Sequence, residues 1–479
     1  MNNLANKLWG FCNTLRHDGV DYGDYIEQLT YLLFFKMAEE KDIDLPSIES
    51  YKDADDNEIE NKEVSWVELK KQSGVELTHL YGEVLRHLRK QEGIIGDMYF
   101  QAMPRLNNPT NLKKLIALID EEDWTSIDVD VKGEAFEALL EKSASEGKKG
   151  AGQYFTPRPL IKSMVRLTQP DPFNTTEKEF KVYDPSCGTG GFLVSAYEWL
   201  FEQKKGAFKR EEIPRIKKET YYGQELVPRP RRLALMNMYL HNIEPIIYLG
   251  DTIYEEPKSE RFDVVLANPP FGTKGANNAP ARQDFTIETT NKQLNFLQHI
   301  LTVLKPGGRA AVVLPDNCLF EDKAGDVFKI LMQDCNLHTI LRLPNGTFVP
   351  YANAKANVIF FQKGMPTENV WIYDNRTNIP SLTKKDRPLS EEHFVDFEKS
   401  FGKDVFGNNK RKESSRFKSF NISEIKERNY KLDITWLKEE NGESENGFTE
   451  PSEIISQATT ELKDVIKDLN KILKLIGDE

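Results

Sequence analysis

The sequence predicts an α/β protein, in which a helical N-terminal domain precedes a doubly wound parallel sheet and a helical tail ends the chain. Three patterns support this prediction. Residues 1–145 carry apolar side chains at helical spacing, residues 146–365 alternate short apolar segments with helical ones, and residues 451–479 carry an apolar heptad repeat. A chain of 479 residues with 39% hydrophobic residues is long enough for two or three domains.

The N-terminal domain, residues 1–145, is predicted to be helical. In "YIEQLTYLLFFKMAEE" the side chains of Ile26, Leu29, Leu33 and Met37 recur at helical spacing, and "NLKKLIALID" repeats the pattern. The acidic segment "YKDADDNEIENKE" between them is predicted to be a solvated loop. The small residues of "SASEGKKGAGQ" predict a hinge into the next domain.

The second domain, residues 146–365, is predicted to hold the sheet. Helices are expected between several of its strands, as in "GFLVSAYEWLFEQKK" and "NKQLNFLQHILTVL". The predicted strands are the apolar segments "FKVYD", "TYYGQE", "PIIYLGD", "FDVVLAN", "RAAVVLP", "HTILRLP" and "NVIFFQ".

The C-terminal part is predicted to be a mixed extension and linker over 366–450, followed by a heptad helix over 451–479. Within the extension, "FGNNKRKESSRFKS" is interpreted as a basic surface loop without a regular element. The heptad helix either packs on its own subunit or pairs with a partner helix, and the polar linker "KEENGESENGF" before it favours a partner. Its apolar seam consists of Ile455, Ala458, Leu462, Val465, Leu469, Ile472 and Ile476.

Composition restricts the classes of function. The net charge of −12 argues against a protein that grips nucleic acid by itself, because phosphate groups attract clustered Lys and Arg. The scattered cysteines (Cys12, Cys187, Cys318 and Cys335) and the histidine spacing predict neither disulfides nor a metal site. No apolar stretch reaches the roughly 20 residues that span a bilayer, and no secretory signal opens the chain. We therefore expect a cytoplasmic protein without a membrane partner.

A glycine-rich turn lies between the first predicted strand of the sheet and the next helix. In "VYDPSCGTGGFL" an acidic residue, Asp184, precedes Gly188, Thr189 and Gly190. Glycines let the backbone approach a ligand closely at the first strand-to-helix turn. The segment is not a P-loop, because no Gly-Lys-Ser/Thr follows, and it does not have the GxGxxG spacing.

The next three strands also end in polar groups. Glu225 ends "YGQE", where a carboxylate accepts hydrogen bonds from two ribose hydroxyls, and Asp251 after "YLG" lies within reach of an adenine amino group. The fourth strand runs into Asn268, Pro269, Pro270 and Phe271. Two prolines end that strand and leave a rigid corner with one amide and one aromatic ring. Four such strand ends together predict a ligand site at one edge of the sheet.

These motifs resemble those of the S-adenosylmethionine-dependent N6-adenine DNA methyltransferases, which implies their Rossmann-like fold and their cofactor. The glycine turn resembles the family's cofactor loop, and "NPPF" resembles its catalytic motif. "GAGQYFTPRPLI" is similar to an additional cofactor-contacting motif of the family, which implies contacts from Gln153, Tyr154, Phe155, Thr156, Pro157 and Arg158. With "RRLALMNMYLHNI" and "LRLPNGTFVPYANAKANVIFF", residues 1–365 resemble the modification subunit of type I restriction–modification systems.

The resemblance gives the "NPPF" corner a chemical role. The exocyclic amine of adenine is a poor nucleophile, because its lone pair is delocalised into the ring. The Asn268 side-chain oxygen and the Pro269 carbonyl would each accept one amine hydrogen, and Pro269 with Pro270 would stiffen that carbonyl. Phe271 would stack on a base flipped out of the duplex. The amine then attacks the sulfonium methyl group in line, and no metal is required.

Two other functions stay open at this point. Enzymes that methylate a glutamine amide, or a guanine amine in RNA, use the same short motif, but they are usually compact and lack "GQYFTPR". A catalytically silent scaffold is the other alternative, and the intact acidic residues and "NPPF" argue against it.

The resemblance also accounts for the acidic charge, because it implies that a separate specificity subunit recognises double-stranded DNA. Two modification chains per specificity chain are expected, and a restriction subunit is left open.

Overall fold

A computed structural model describes residues 6, 9–10, 20–40, 45–124, 126, 138–139, 156–174, 179–271, 278–349, 354–383 and 386–438. The chain divides into two units, Met1–Ile434 and Thr435–Glu479. All helices and strands named below lie in the first unit. The predicted hinge at 143–153 and the heptad seam at 455–476 lie outside the described residues, so both stay predictions, as do the bounds of the four domains.

The N-terminal region contains five described helices, and they include both helices predicted there. The longest, α1, is buried along most of its length, so its apolar residues form the centre of this region rather than one stripe. The N-cap of the fifth is Asn108, whose side chain accepts a hydrogen bond from the Thr110 N–H at 2.9 Å. The helices are α1 (Tyr22–Glu40), α2 (Trp66–Lys71), α3 (Gly74–Leu88), α4 (Gly93–Tyr99) and α5 (Pro109–Asp120).

The acidic segment after α1 is a β-hairpin, so the prediction of a solvated loop is wrong. Strands β1 (Ile48–Lys52) and β2 (Glu58–Lys62) pair antiparallel. In the turn, Asp53 Oδ1 accepts hydrogen bonds from the N–H groups of Asp55 and Asn57 at 2.9 and 2.8 Å. Most residues of both strands are exposed. The segment is therefore polar throughout and lacks the alternation of apolar and polar residues by which a strand is predicted.

The first unit also contains a nine-stranded sheet, which includes all seven predicted strands. Its strand order is β11-β10-β8-β9-β7-β6-β3-β4-β5. The strands are β3 (Val182–Asp184), β4 (Tyr221–Glu225), β5 (Ile246–Leu249), β6 (Phe262–Ala267), β7 (Leu304–Pro315), β8 (Cys335–Arg342), β9 (Ala356–Lys363), β10 (Asn369–Asp374) and β11 (Phe417–Asn421).

The sheet is mixed rather than wholly parallel, which corrects the predicted direction of the strands. Strand β9 lies between β7 and β8 and runs antiparallel to both, and β11 runs antiparallel to β10. The α/β class is confirmed. Strand direction was missed because a fully buried apolar strand has the same composition in either direction.

Helices accompany the strands along the chain, and both helices predicted within the sheet domain are present. A 3-10 turn, Asp316–Leu319, follows β7. The helices are α6 (Arg158–Thr168), α7 (Gly191–Gln203), α8 (Ile213–Lys218), α9 (Pro228–Leu240), α10 (Lys292–Val303), α11 (Ala324–Asp334), α12 (Glu392–Phe401) and α13 (Ile422–Glu427).

The segment after residue 365 extends the sheet with β10 and β11. In the stretch interpreted as a basic surface loop, residues 417–419 belong to β11. Arg411 of that stretch reaches the sheet, where it donates to the His338 carbonyl at 3.0 Å and to Thr339 Oγ1 at 2.8 Å. The interpretation as a loop without an element is therefore wrong for its last residues, because a basic sequence does not exclude an edge strand.

A buried ion-pair cluster joins the N-terminal helices to α9. Glu27 of α1 pairs with Arg232 and Arg229 of α9, and its Oε1 also accepts from the Tyr31 hydroxyl at 3.0 Å. Arg232 additionally donates to the carbonyl of Phe100 at 2.6 Å. The arginines of "RPRRLALMN" thus hold the N-terminal region against the sheet domain.

Within the part of the chain that the structure describes, every helix is too short or too polar to span a bilayer.

Candidate functional site

The four polar strand ends lie side by side. Strands β6, β3, β4 and β5 are consecutive in the sheet and mutually parallel. Asn268, Asp184, Glu225 and Asp251 therefore occur at or just after the carboxyl ends of neighbouring strands. The chain leaves β3 toward β4 and β5 and then returns to β6 on the other side of β3. Such a reversal opens a crevice in which α/β proteins bind ligands.

The glycine turn between β3 and α7 has the backbone that its sequence predicts. Gly188 and Gly190 have φ values of 54° and 83°, a region that glycine adopts without strain. A Cβ atom at Gly190 would come within 3.3 Å of Ala234, so this glycine allows close packing against α9. A Cβ atom at Gly188 would meet none of the described residues within 4 Å, so no described side chain covers the backbone there. The Thr189 carbonyl accepts from Asn237 Nδ2 at 3.2 Å.

Glu225 connects this turn to the end of β4. Its Oε2 accepts from the Gly188 N–H at 3.0 Å, and its Oε1 accepts from the Val227 N–H at 2.9 Å. Burial raises the pKa of Glu225, while its backbone hydrogen bonds act in the opposite direction. Each carboxylate oxygen has two acceptor positions, so the group retains capacity for a ligand's hydroxyls.

Asp184 lies beneath the turn and is only 2% exposed. Its Oδ1 accepts from the Ser186 N–H at 3.0 Å. Burial raises its pKa to about 8; the Ser186 hydrogen bond opposes that shift and the neighbouring Glu225 carboxylate adds to it. The observed contact of Asp184 is thus with the turn itself.

Asp251 begins the turn that follows β5. Its Oδ1 accepts from the N–H groups of Ile253 and Tyr254 at 2.9 and 3.1 Å, and the side chain is half-buried. Its own N–H donates to Glu255 Oε1 at 2.9 Å. The turn holds the carboxylate at the same edge as Glu225.

Among the described residues, the Asn268 amide has a hydrogen-bond partner for its nitrogen and none for its oxygen. Its Nδ2 donates to Thr156 Oγ1 at 2.8 Å. Its Oδ1 is buried, yet no group among the described residues donates a hydrogen bond to it. A buried acceptor without a donor costs about 1–3 kcal/mol. A donor arriving with a ligand would relieve that cost.

Neighbouring residues hold the rest of the "NPPF" corner. Gln293 Nε2 donates to the Pro270 carbonyl at 2.6 Å, and Ser186 Oγ donates to the Asn268 carbonyl at 3.4 Å. Pro269 is buried. The half-buried ring of Phe271 meets Phe348 edge to face, with centroids 5.3 Å apart. The corner is therefore fixed to the glycine turn and to α10.

The upstream motif is described from Thr156 onward, while Gln153, Tyr154 and Phe155 lie outside the described residues. Pro157 precedes α6 and caps its start. The Arg158 guanidinium donates to the Gly191 carbonyl at 3.1 Å and to Ser195 Oγ at 2.5 Å, both on α7. Burial of the guanidinium lowers the pKa of Arg158 to about 10, against the effect of Glu198. Arg158 thus braces the helix that follows the glycine turn.

Three residues that support the corner were missed in the sequence: Ser186, Gln293 and Phe348. None of the three offered a signal in the sequence, since their contacts join segments that only the folded chain brings together. Gln293 is 1% exposed, and a buried amide needs a polar partner, but this burial is evident only in the structure. Among the described residues, no three His, Cys, Asp or Glu side chains converge as metal ligands do.

Two family models and several known proteins match nearly the whole chain. The family described as N-6 DNA Methylase matches residues 127–446, and the HsdM N-terminal domain matches residues 4–119. The StySPI methylase subunit of a type I restriction enzyme from Salmonella potsdam is 36% identical, with 99% of this chain and 96% of that protein covered. The EcoKI methylase subunit from Escherichia coli K12 is 35% identical, with the same shares covered.

Two solved structures are similar over the same length. The crystal structure of the EcoKI M protein is 32% identical, covers 99% of this chain and 96% of that one, and gives a TM-score of 0.56. A structure from work on complex assembly and conformational transition of the type I R-M system is 28% identical, covers 99% and 98%, and gives a TM-score of 0.74.

Proposed function

This chain belongs to the N-6 DNA methylase family, as a type I restriction enzyme methylase subunit, and from that premise we propose how its residues carry out the reaction. The substrate is adenine in double-stranded DNA, the methyl donor is S-adenosylmethionine, and the product is N6-methyladenine. The cytoplasm is the compartment we expect for this activity.

The observation that carries the proposal is that the buried Asn268 oxygen accepts no hydrogen bond from the described residues. This oxygen is a buried acceptor at the carboxyl end of β6, in a corner fixed by Thr156 and Gln293. An adenine amine is a donor of matching chemistry. A hydrogen bond to Oδ1, with a second to the Pro269 carbonyl, favours a pyramidal nitrogen whose lone pair is free to attack.

The glycine turn and Glu225 fit the adenosine part of S-adenosylmethionine. No described residue lies within 4 Å of a Cβ position at Gly188, and the Glu225 carboxylate beside this glycine has acceptor capacity for ribose hydroxyls. Asp251 is proposed to accept from the cofactor's adenine amine. Asp184 and Arg158 support the turn and α7, and Gln153, Tyr154 and Phe155 are proposed as further cofactor contacts on the family resemblance.

Catalysis then depends on position and on hydrogen bonds. S-adenosylmethionine supplies an electrophilic methyl group on a sulfonium. Asn268 and Pro269 orient the target amine, Pro270 keeps the corner rigid through its bond to Gln293, and Phe271 stacks on the flipped base. Transfer of that methyl group to the amine would release S-adenosylhomocysteine, and the proton lost by the amine would pass to water.

Recognition of the DNA site is proposed to come from a specificity subunit, in a complex with two chains of this protein for each specificity chain. The net charge of −12 supports DNA binding that depends on the specificity subunit. Assembly is also the subject of the work on the similar type I R-M structure. A restriction subunit is compatible with the family's role and is left to experiment.

The test is product identification after incubation with tritiated S-adenosylmethionine, with and without the specificity chain. We expect N6-methyladenine in duplex DNA from the complex and none at a defined site from this chain alone. Label in a glutamine amide, or in the guanine amine of RNA, would instead support the alternative methyltransferases. An absence of label from the assembled complex would support the scaffold.

A further inference from the structure

Thr156 is the one hydrogen-bond partner of the Asn268 side chain among the described residues. The two residues are 112 positions apart in the sequence, and Nδ2 of Asn268 lies 2.8 Å from Oγ1 of Thr156. The sequence motif that contains Thr156 predicts a contact with the cofactor. The structure instead brings its hydroxyl against the amide that is proposed to hold the target base.

We infer that Thr156 is a positioning residue that makes the site selective for adenine, because it holds the Asn268 amide with its oxygen toward the base. The inference rests on the proposed function. Its physical basis is that the two ends of an amide have nearly the same shape and opposite hydrogen-bonding character: Oδ1 accepts and Nδ2 donates.

The orientation of this amide decides which base the corner accepts. Adenine presents an amine at position 6, which needs an acceptor. Hypoxanthine presents a carbonyl oxygen there, which needs a donor. With Oδ1 toward the base the corner favours adenine, and after a half-turn of the amide it would favour hypoxanthine. No other described contact of Asn268 resists that half-turn, since Ser186 bonds to its main-chain carbonyl.

In the observed orientation the Thr156 hydroxyl accepts the Nδ2 hydrogen, and it opposes the half-turn when its own proton is not available to donate to Oδ1. A hydroxyl has one proton and two lone pairs, so it becomes an obligatory acceptor toward Asn268 once its proton is donated elsewhere. The motif around Thr156 is the one proposed to contact the cofactor. A cofactor oxygen that accepts this proton would therefore lock the Asn268 amide in the orientation that binds adenine.

The test compares Thr156→Val, which removes the hydroxyl and keeps the side-chain shape, with Thr156→Ser, which keeps the hydroxyl. Thr110→Val, at an exposed threonine in the first turn of α5, is the matched control. Each variant is assembled with the specificity chain and S-adenosylhomocysteine, which prevents turnover. Competitive binding then measures affinity for duplexes with adenine or hypoxanthine at the methylated position.

We expect Thr156→Val to lower the adenine-to-hypoxanthine affinity ratio about tenfold relative to wild type, the scale of one hydrogen bond. Thr156→Ser should restore the ratio, and Thr110→Val should leave it unchanged. A mispaired hypoxanthine flips out of the duplex more easily than a paired adenine. This difference affects the ratio equally in every variant, so it cancels when the ratios of the variants are compared. The ratio is also independent of the fraction of active protein.

An unchanged ratio in Thr156→Val would overturn the inference, and so would an equal loss of affinity for both duplexes, which is the result of a purely structural role. Methylation by the wild-type complex separates this failure from that of the proposed function. If wild type produces N6-methyladenine and Thr156→Val keeps the wild-type ratio, only the role of Thr156 is wrong. If wild type produces none, the proposed function and this inference both fail.

Discussion

The Gly188 N–H donates to Oε2 of Glu225 at 3.0 Å, so one hydrogen bond joins the glycine turn to the end of β4. This bond places a half-buried carboxylate beside the backbone of Gly188, where a Cβ atom would meet none of the described residues within 4 Å.

The first prediction is that Glu225→Ala weakens S-adenosylmethionine binding by about 1.5–3 kcal/mol, because it removes the half-buried carboxylate that is proposed to accept the ribose hydroxyls. The measurement is calorimetric titration of the purified full chain. Glu256→Ala, at an exposed position nearby, should keep wild-type affinity. Unchanged affinity in Glu225→Ala would contradict the proposal that Glu225 binds the ribose hydroxyls.

The second prediction concerns pH and Asp184, whose pKa is raised to about 8 by burial. Because this value lies above that of an unfolded aspartate, the folded state retains a proton that the unfolded chain loses. The Asp184 contribution to stability is therefore complete below pH of about 4 and is lost as the pH rises through about 8.

Asp184→Asn keeps an acceptor oxygen for Ser186 and has no proton to lose. From pH 5.5 to pH 8.5 the free energy of unfolding should fall in both proteins. We expect the fall in wild type to exceed the fall in Asp184→Asn by at least about 1 kcal/mol. Urea denaturation at both pH values gives the comparison, with Asp55→Asn in the exposed hairpin turn as control. Parallel pH curves for wild type and Asp184→Asn would show that Asp184 titrates normally.

The third prediction is that Glu27→Gln lowers the free energy of unfolding by about 3 kcal/mol, because it leaves the buried Arg232 without its charged partner. Asp56→Asn is the matched control. It removes a carboxylate from an exposed pair with Lys52, and we expect a change within about 0.5 kcal/mol. Equal effects of the two substitutions in urea denaturation would mean that the cluster between α1 and α9 adds nothing to stability.

The fourth prediction tests the heptad seam, which rests on the sequence pattern alone. Replacing Leu462 and Leu469 with Asp places charges in an apolar seam, so assembly with the specificity chain should weaken while cofactor binding stays intact. Sedimentation velocity measures assembly, and titration measures cofactor binding. Normal assembly of the double variant would assign the helix to its own subunit.

The sequence predicts the strands better than it predicts their directions or the supports of the site. All seven apolar strands were found because buried strands combine apolar runs with turn residues at their ends. The hairpin at 48–62 and strand β11 were missed because their exposed faces leave a polar sequence. The antiparallel direction of β9 depends on pairing partners, which composition does not encode.

The site shows the same division. The polar residues at four strand ends could be predicted because parallel neighbours bring their carboxyl ends to one edge. The hydrogen bonds of Thr156 and Gln293 could not, because each joins loops or helices that only the folded chain brings together. The buried location of Asp184 was also not evident, since an acid after a strand is usually exposed.

The central claim is that the Asn268 oxygen accepts a hydrogen from the target amine. The most direct measurement is the single-turnover rate of N6-methyladenine formation by the assembled Asn268→Ala complex, with saturating S-adenosylmethionine and a mapped DNA site. We predict a rate at least about a hundredfold below wild type, the scale of one oriented catalytic group, with cofactor affinity and assembly unchanged. Methylation at a rate near that of wild type would contradict the claim.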